Sequence, residues 1–284
     1  MPDAGLIIGG LTVLLTGGDS LARLLAVPGM GVFRTAAPAN PDMVLHLDAD
    51  LPEADGSMLH RFSYDGDTKE CQLLADGDDG WRYTFSTGGS LRIDGGNTAS
   101  CSALADQSTL RFAAWLAYSM LATRLGRVAV HSSTVVCRGR AVMCLGESGT
   151  GKSTHTHLWQ KHIAGATLLN DDSPIVAVTA DGGVEVYGSP WSGKEPCFRQ
   201  EHYPLAALIR IVQRPENSIS RLSTIEAFTA LQPSCPPSMM YDERLLDRVV
   251  PIISNIISRV PVYRLGCLPD ADAAHLSYST VYGS

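Results

Sequence analysis

Residues 141–159 read AVMCLGESGTGKSTHTHLW, and their reading decides the fold. Five apolar residues, 141–145, have the length and bulk of a buried strand. They run directly into Gly146-Glu147-Ser148-Gly149-Thr150-Gly151-Lys152-Ser153, a full match to the spacing GxxxxGK[S/T]. The glycines let the backbone curl until successive N–H groups point at phosphate oxygens. A helix over residues 153–162 adds the positive end of its dipole. In such a loop Lys152 neutralises the β- and γ-phosphates and Ser153 places its hydroxyl on Mg²⁺. Thr154 caps the helix or reaches the α-phosphate. Gly146, Ser148, Gly149, Thr150, Gly151, Lys152, Ser153 and Thr154 are therefore the expected nucleotide contacts, with ATP and Mg²⁺ as ligands.

Outward from the loop, the alternation of elements predicts an α/β domain. Residues 128–136 are β-branched and read as one strand, with His131 near the end expected to face the phosphates. Residues 167–170 form the next strand and lead into Asn170-Asp171-Asp172. Ligands collect at the carboxyl ends of parallel strands, so neighbouring strands would bring these carboxylates to the loop. One would hold Mg²⁺ and the other would accept a hydroxyl proton. Asp171, Asp172, His131 and Lys152 are the candidate catalytic residues, with Ser153 and Asp172 on the metal. Residues 175–178 and 184–187 flank Asp181-Gly182-Gly183 and predict a hairpin. Residues 188–193, GSPWSG, followed by Lys194, form a second glycine-punctuated loop. Its functional reading is a substrate clamp through Trp191 and Lys194, and its alternative is a plain turn. Strands over 205–212 and 262–265, a short helix over 225–231, and a helical pattern from Leu245 to Val260 complete the region. Pro251 is expected to kink that last helix or to start a second segment. His155, His157 and His162 lack the three- or four-residue spacing of a helical metal pair.

Before this region the texture differs. Residues 1–104 carry short strand-like runs (43–47, 81–85, 90–93) between glycine-rich turns, and predict a β-rich domain with no chemical motif. Residues 5–15 are apolar, but they have no charged preceding segment and are too short to span a bilayer, so two short strands are expected. A helix over 106–125 would open the second domain, 105–284, with Leu110, Ala113, Ala114, Ala117 and Leu121 on one face.

The bulk numbers narrow the function. In 284 residues, 45% are apolar and the net charge is −7. No basic run is present to track a nucleic-acid backbone, and no membrane segment is expected. Seven scattered cysteines without a CxxC pair predict neither zinc nor disulfides and suit a reducing cytoplasm. No NKxD-type base-reading segment accompanies the loop, which disfavours a GTPase. The residues thus point to phosphoryl transfer from ATP to a hydroxyl. The alternative is a nucleotide-binding regulatory or peptide-biosynthesis accessory protein with little catalysis. Self-association into a homo-oligomer stays open.

Four ordered blocks carry a more specific likeness: VHSSTVV (130–136), GESGTGKSTHTHLW (146–159), LNDDSP (169–174) and YGSPWSGK (187–194). In these the chain resembles the HPr kinase/phosphatase-like P-loop kinases, which share a fold with the phosphoenolpyruvate carboxykinases. It looks especially like their small members that bear the carboxykinase label. The resemblance spans roughly residues 108–267 and implies that domain fold behind an N-terminal β-rich domain. It implies that His131 contacts phosphate and that Asp171 and Asp172 supply the proton-accepting and metal-binding carboxylates, with Asp171 the better base. The loop by which HPr kinases grip their protein substrate is not found, nor is a carboxykinase's arginine block. The implied acceptor is a hydroxyl on a peptide, a protein or a small molecule.

Overall fold

The computed structural model describes residues 2–193 and 195–283, the side chain of Pro237 apart. The chain forms two compact units. One comprises Met1–Leu125 with Ser238–Leu246, the other Gly126–Pro237 with Asp247–Ser284. The division thus falls at Leu125/Gly126, later than the expected 104/105.

The first unit contains strands β1 (Ala4–Ile8), β2 (Leu11–Thr16), β3 (Arg34–Thr35), β4 (Met43–His46), β5 (Met58–Tyr64), β6 (Lys69–Asp76), β7 (Gly80–Phe85), β8 (Ser90–Ile93) and β9 (Thr98–Cys101). They make one nine-stranded sheet in the order β3-β1-β2-β4-β9-β8-β7-β6-β5. Helices α1 (Asp19–Leu25) and α2 (Gln107–Ala122) accompany it. The residues expected on one face of α2, Leu110, Ala113, Ala114, Ala117 and Leu121, are all buried, and α2 meets β4, β8 and β9. That packing, rather than sequence position, assigns α2 to the first unit. Asp106 caps it, accepting a hydrogen bond from the Thr109 amide at 2.8 Å.

The second unit contains β10 (Arg127–Ala129), β11 (Ser132–Cys137), β12 (Arg140–Leu145), helix α3 (Lys152–His162), β13 (Thr167–Asp172), β14 (Ile175–Val178), β15 (Val184–Tyr187), β16 (His202–Gln213), β17 (Ser218–Arg221), α4 (Thr224–Leu231), α5 (Glu243–Arg259), β18 (Val262–Cys267) and α6 (Ala271–Tyr282). The opening residues of α5 group with the first unit. Its sheet runs β10-β14-β15-β16-β12-β11-β13, with β18 joining β16 and β17. The unit is mixed α/β. β12, β16 and β18 are mutually parallel. β11 is antiparallel to both β12 and β13, so β13 points the same way as β12. The carboxyl ends of β12, β13, β16 and β18 therefore share one edge.

Helix α3 lies on β11, β12 and β13 and meets α6. Its Trp159 is fully buried in a core built from Val135, Val142, Ile209, Leu265 and Ala274. Three expectations change here. The apolar run 128–136 is two strands, because the Val130 and His131 amides turn away to donate to Pro174 O and Ser234 O. Pro251 sits inside one continuous α5, on an exposed position where its missing N–H leaves no buried group unpaired. Helix α6 follows the strand expected to close the domain. Among the described residues, no helix is long and apolar enough to cross a membrane.

Candidate functional site

Strand register builds the site. Ser132 pairs with Leu145 on one side and with Asp172 on the other. Leu145, Ser132 and Asp172 therefore lie in one row across the sheet edge, and the glycine-rich loop begins one residue beyond that row. The expected proximity of the carboxylates to the loop is present, but β11 lies between the two strands.

Two glycines shape the loop. Gly151 caps α3 at φ +104°, in the left-handed region that other residues adopt at a cost. At Gly146 a Cβ would collide with Thr150 Oγ1. Lys152 is nearly buried, and its Nζ donates to Gly146 O at 2.8 Å and Glu147 O at 3.0 Å. Burial holds its pKa below the usual lysine value, against the opposing pull of Asp172 and Asp171.

The two aspartates have different partners. Asp171 is buried, and its Oδ1 accepts from Ser153 Oγ at 2.8 Å. Asp172 is half-exposed, and its Oδ1 lies 3.1 Å from His131 Nδ1. His131 precedes β11 rather than ending a strand. Because β11 runs antiparallel to β12, its beginning falls on the same edge as the loop. His131, Ser148, Lys152, Ser153, Asp171 and Asp172 all line one cavity of about 410 Å³.

Trp191 is a correction. Of the two readings of its loop, a substrate clamp or a plain turn, the clamp needs an accessible indole, and Trp191 is buried, 3% exposed. Its carbonyl accepts from Asn170 Nδ2 at 3.1 Å, and Ser189 Oγ donates to Ser173 O at 2.6 Å. Gly193 N donates to Asp171 O at 2.6 Å, and a Cβ at Gly193 would come within 2.8 Å of that oxygen. The second glycine loop therefore fixes the backbone of the aspartate pair, and Gly193 alone of its described residues reaches the cavity wall. Lys194 lies outside the described residues. Two further contributors carry no role in the expectations from sequence. Ser132 lines the cavity, and Asn170, fully buried, ties β13 to the second loop. The adjacent HSS and NDD triplets were the available signal.

A hard, oxygen-preferring cation suits this donor set. Ser153, Asp171 and Asp172 offer one hydroxyl and two carboxylates, the kind of partial shell Mg²⁺ completes with phosphate and water. Among the described residues, no group of three or more His, Cys, Asp or Glu could form a protein-only cage.

Behind the loop, His155 is 2% exposed, and burial pushes its pKa down to about 4. The folded chain refuses a proton that the unfolded chain accepts below the ordinary value of 6.5. Its stabilising contribution is complete above pH 6.5 and is lost as pH falls toward 4. Between pH 7 and pH 4, His155→Phe should lose about 3 kcal/mol less unfolding free energy than the parent. Urea titrations at both pH values measure this, and equal losses in the two proteins would contradict it.

No family model and no curated protein matches the chain. Among solved structures, the Hpr(Ser) kinase/phosphatase from Coxiella burnetii matches at 12% identity, covering 54% of this chain and 93% of its own. The TM-score is 0.30, and a likeness at that level carries no argument for function.

Proposed function

We propose that the chain is a P-loop phosphotransferase that moves the γ-phosphoryl group of ATP to a hydroxyl of a peptide, protein or small molecule. The observation that carries the proposal is the pairing at the sheet edge, Ser153 with Asp171 and Asp172 with His131, beside Lys152. The loop residues Gly146, Ser148, Gly149, Thr150, Gly151 and Thr154 bind the phosphates, and Lys152 neutralises their charge. Mg²⁺, when bound beside Ser153 and Asp171, would offset charge on the β- and γ-oxygens.

The contacts favour the reverse of the allotment implied by family resemblance. Asp171, buried and bonded to the metal-side hydroxyl, belongs with the cation. Asp172, half-exposed and bonded to an imidazole, accepts the proton of the attacking hydroxyl, and His131 orients it. The acceptor oxygen bonds to the γ-phosphorus while the bond to the β-bridging oxygen breaks. ADP leaves, and the hydroxyl proton ends on Asp172. Little covalent chemistry falls to the protein, so positioning and charge neutralisation supply most of the acceleration.

The test is transfer of label from γ-labelled ATP to acceptors in a lysate, followed by kinetics on the acceptor found. Asp172→Asn should lower kcat about a hundredfold with nucleotide affinity kept. Asp171→Asn should chiefly raise the Mg²⁺ concentration needed for half-maximal rate. Full turnover in Asp172→Asn would remove it as the base. Nucleotide-dependent partner binding without a labelled acceptor would instead support the regulatory alternative.

A further inference from the structure

A second cavity, of about 550 Å³, opens on the other side of the α3 N-terminal turn. It shares Gly149, Gly151 and Thr154 with the first, so the two form adjoining compartments over one loop. Their chemistry differs. The first is lined by charged groups and hydroxyls, whereas Leu158, Ile211, Cys267 and Leu268 give the second an apolar wall, with Gln213 and Arg214 also lining it. This wall forms where β16 and β18 end, at the edge where ligands of α/β sheets collect.

One side chain in that wall points to a ligand. His155 lines the cavity, is 2% exposed, and has no hydrogen-bond partner at Nδ1. The Trp159 indole N–H points at its Nε2 at 3.2 Å and at Ser277 Oγ at 2.9 Å. Ser277 Oγ also lies 3.0 Å from Nε2, so the polar contacts of the ring all run through that one nitrogen. Nδ1 is therefore a buried ring nitrogen without a hydrogen-bond partner, a group that native structures rarely leave unsatisfied.

Building on the phosphotransferase reading, we infer that this cavity takes the nucleoside of the phosphoryl donor, with His155 Nδ1 hydrogen-bonded to the base. The donor is then a nucleoside triphosphate and not pyrophosphate or a linear polyphosphate. The base lies against the apolar wall while its phosphates cross Gly149–Gly151 into the charged compartment. Both compartments are needed for a nucleotide, and the charged one alone would serve an inorganic donor.

Calorimetric titration with ATP and with inorganic triphosphate separates the two claims. The parent chain should bind ATP at least tenfold more tightly than triphosphate. His155→Phe, which keeps an aromatic ring but removes Nδ1, should weaken ATP about tenfold and leave triphosphate unchanged. Leu268→Trp, at a partly exposed wall position, should do the same by filling the cavity, and it guards against a folding defect in the buried variant. Equal affinity of the parent for the two ligands, or unchanged ATP affinity in both variants, would overturn the nucleoside site while leaving the phosphate loop in place. Failure of the parent to bind either ligand would instead overturn the phosphotransferase reading, and this inference with it.

Discussion

Lys152→Met is expected to reduce phosphoryl transfer about a thousandfold, equivalent to about 4 kcal/mol of transition-state stabilisation. The ammonium sits at the first turn of α3, nearly buried, with Nζ on the carbonyls of Gly146 and Glu147. It needs only a modest swing to exchange those carbonyls for phosphate oxygens. In a half-enclosed site a positive charge acts more strongly than it would in water. Methionine keeps most of the stem and removes the charge. The fold should tolerate the change, because burial already disfavours the charged form of this lysine. Unchanged thermal stability together with a thousandfold loss of kcat is therefore the expected pair of results. A loss under tenfold would remove Lys152 from the reaction. Lys152→Arg adds a control, since it keeps the charge but replaces a compact ammonium with a planar fork. Recovery of much less than the parent rate would show that reach as well as charge matters.

What the sequence made legible, and what it hid, follows a physical line. The loop at 146–153 and the strand before it were readable because phosphate binding fixes both composition and spacing locally. The hairpin of β14 and β15 was readable because its turn residues announce it. The break between β10 and β11 was not, since it is set by hydrogen bonds from Val130 and His131 to Pro174 and Ser234, residues distant in sequence. Trp191 looked exposed beside glycine, serine and proline, but its environment comes from Asn170 and Ser189. Helix α6 fully buries only Ala273, Ala274 and Ser277, and its larger residues Leu276, Tyr278, Val281 and Tyr282 pack on the core while partly exposed. β5 and β6 mix charged and polar residues with apolar ones, so no apolar run marks them as strands. His155 was weighed only as a metal ligand. Its role depends on Ser277, more than a hundred residues away, which no local pattern could supply.

Trp159→Ala should lower the stability of the second unit by about 4 kcal/mol. The indole is fully buried between the sheet and α6, and its ring meets Tyr278 and Tyr282 edge-on or tilted, with centroids at 5.8 and 6.3 Å. Truncation removes that burial and leaves a cavity that small neighbours such as Ala273 and Ala274 cannot fill. It also deletes the donor to His155 Nε2 and Ser277 Oγ. Trp159→Phe separates the two contributions. It retains most of the apolar volume and should cost less than half as much, the residual reporting the lost N–H. Urea denaturation followed by far-UV circular dichroism gives both values, and a loss under about 1 kcal/mol for alanine would contradict the packing account. The phenylalanine variant also bears on the site. Without the indole N–H, His155 Nε2 keeps only its Ser277 Oγ contact, and the ring is held less firmly against the cavity. A protein that stays folded yet binds ATP less tightly, with triphosphate binding unchanged, would connect the core of α3 to the choice of phosphoryl donor.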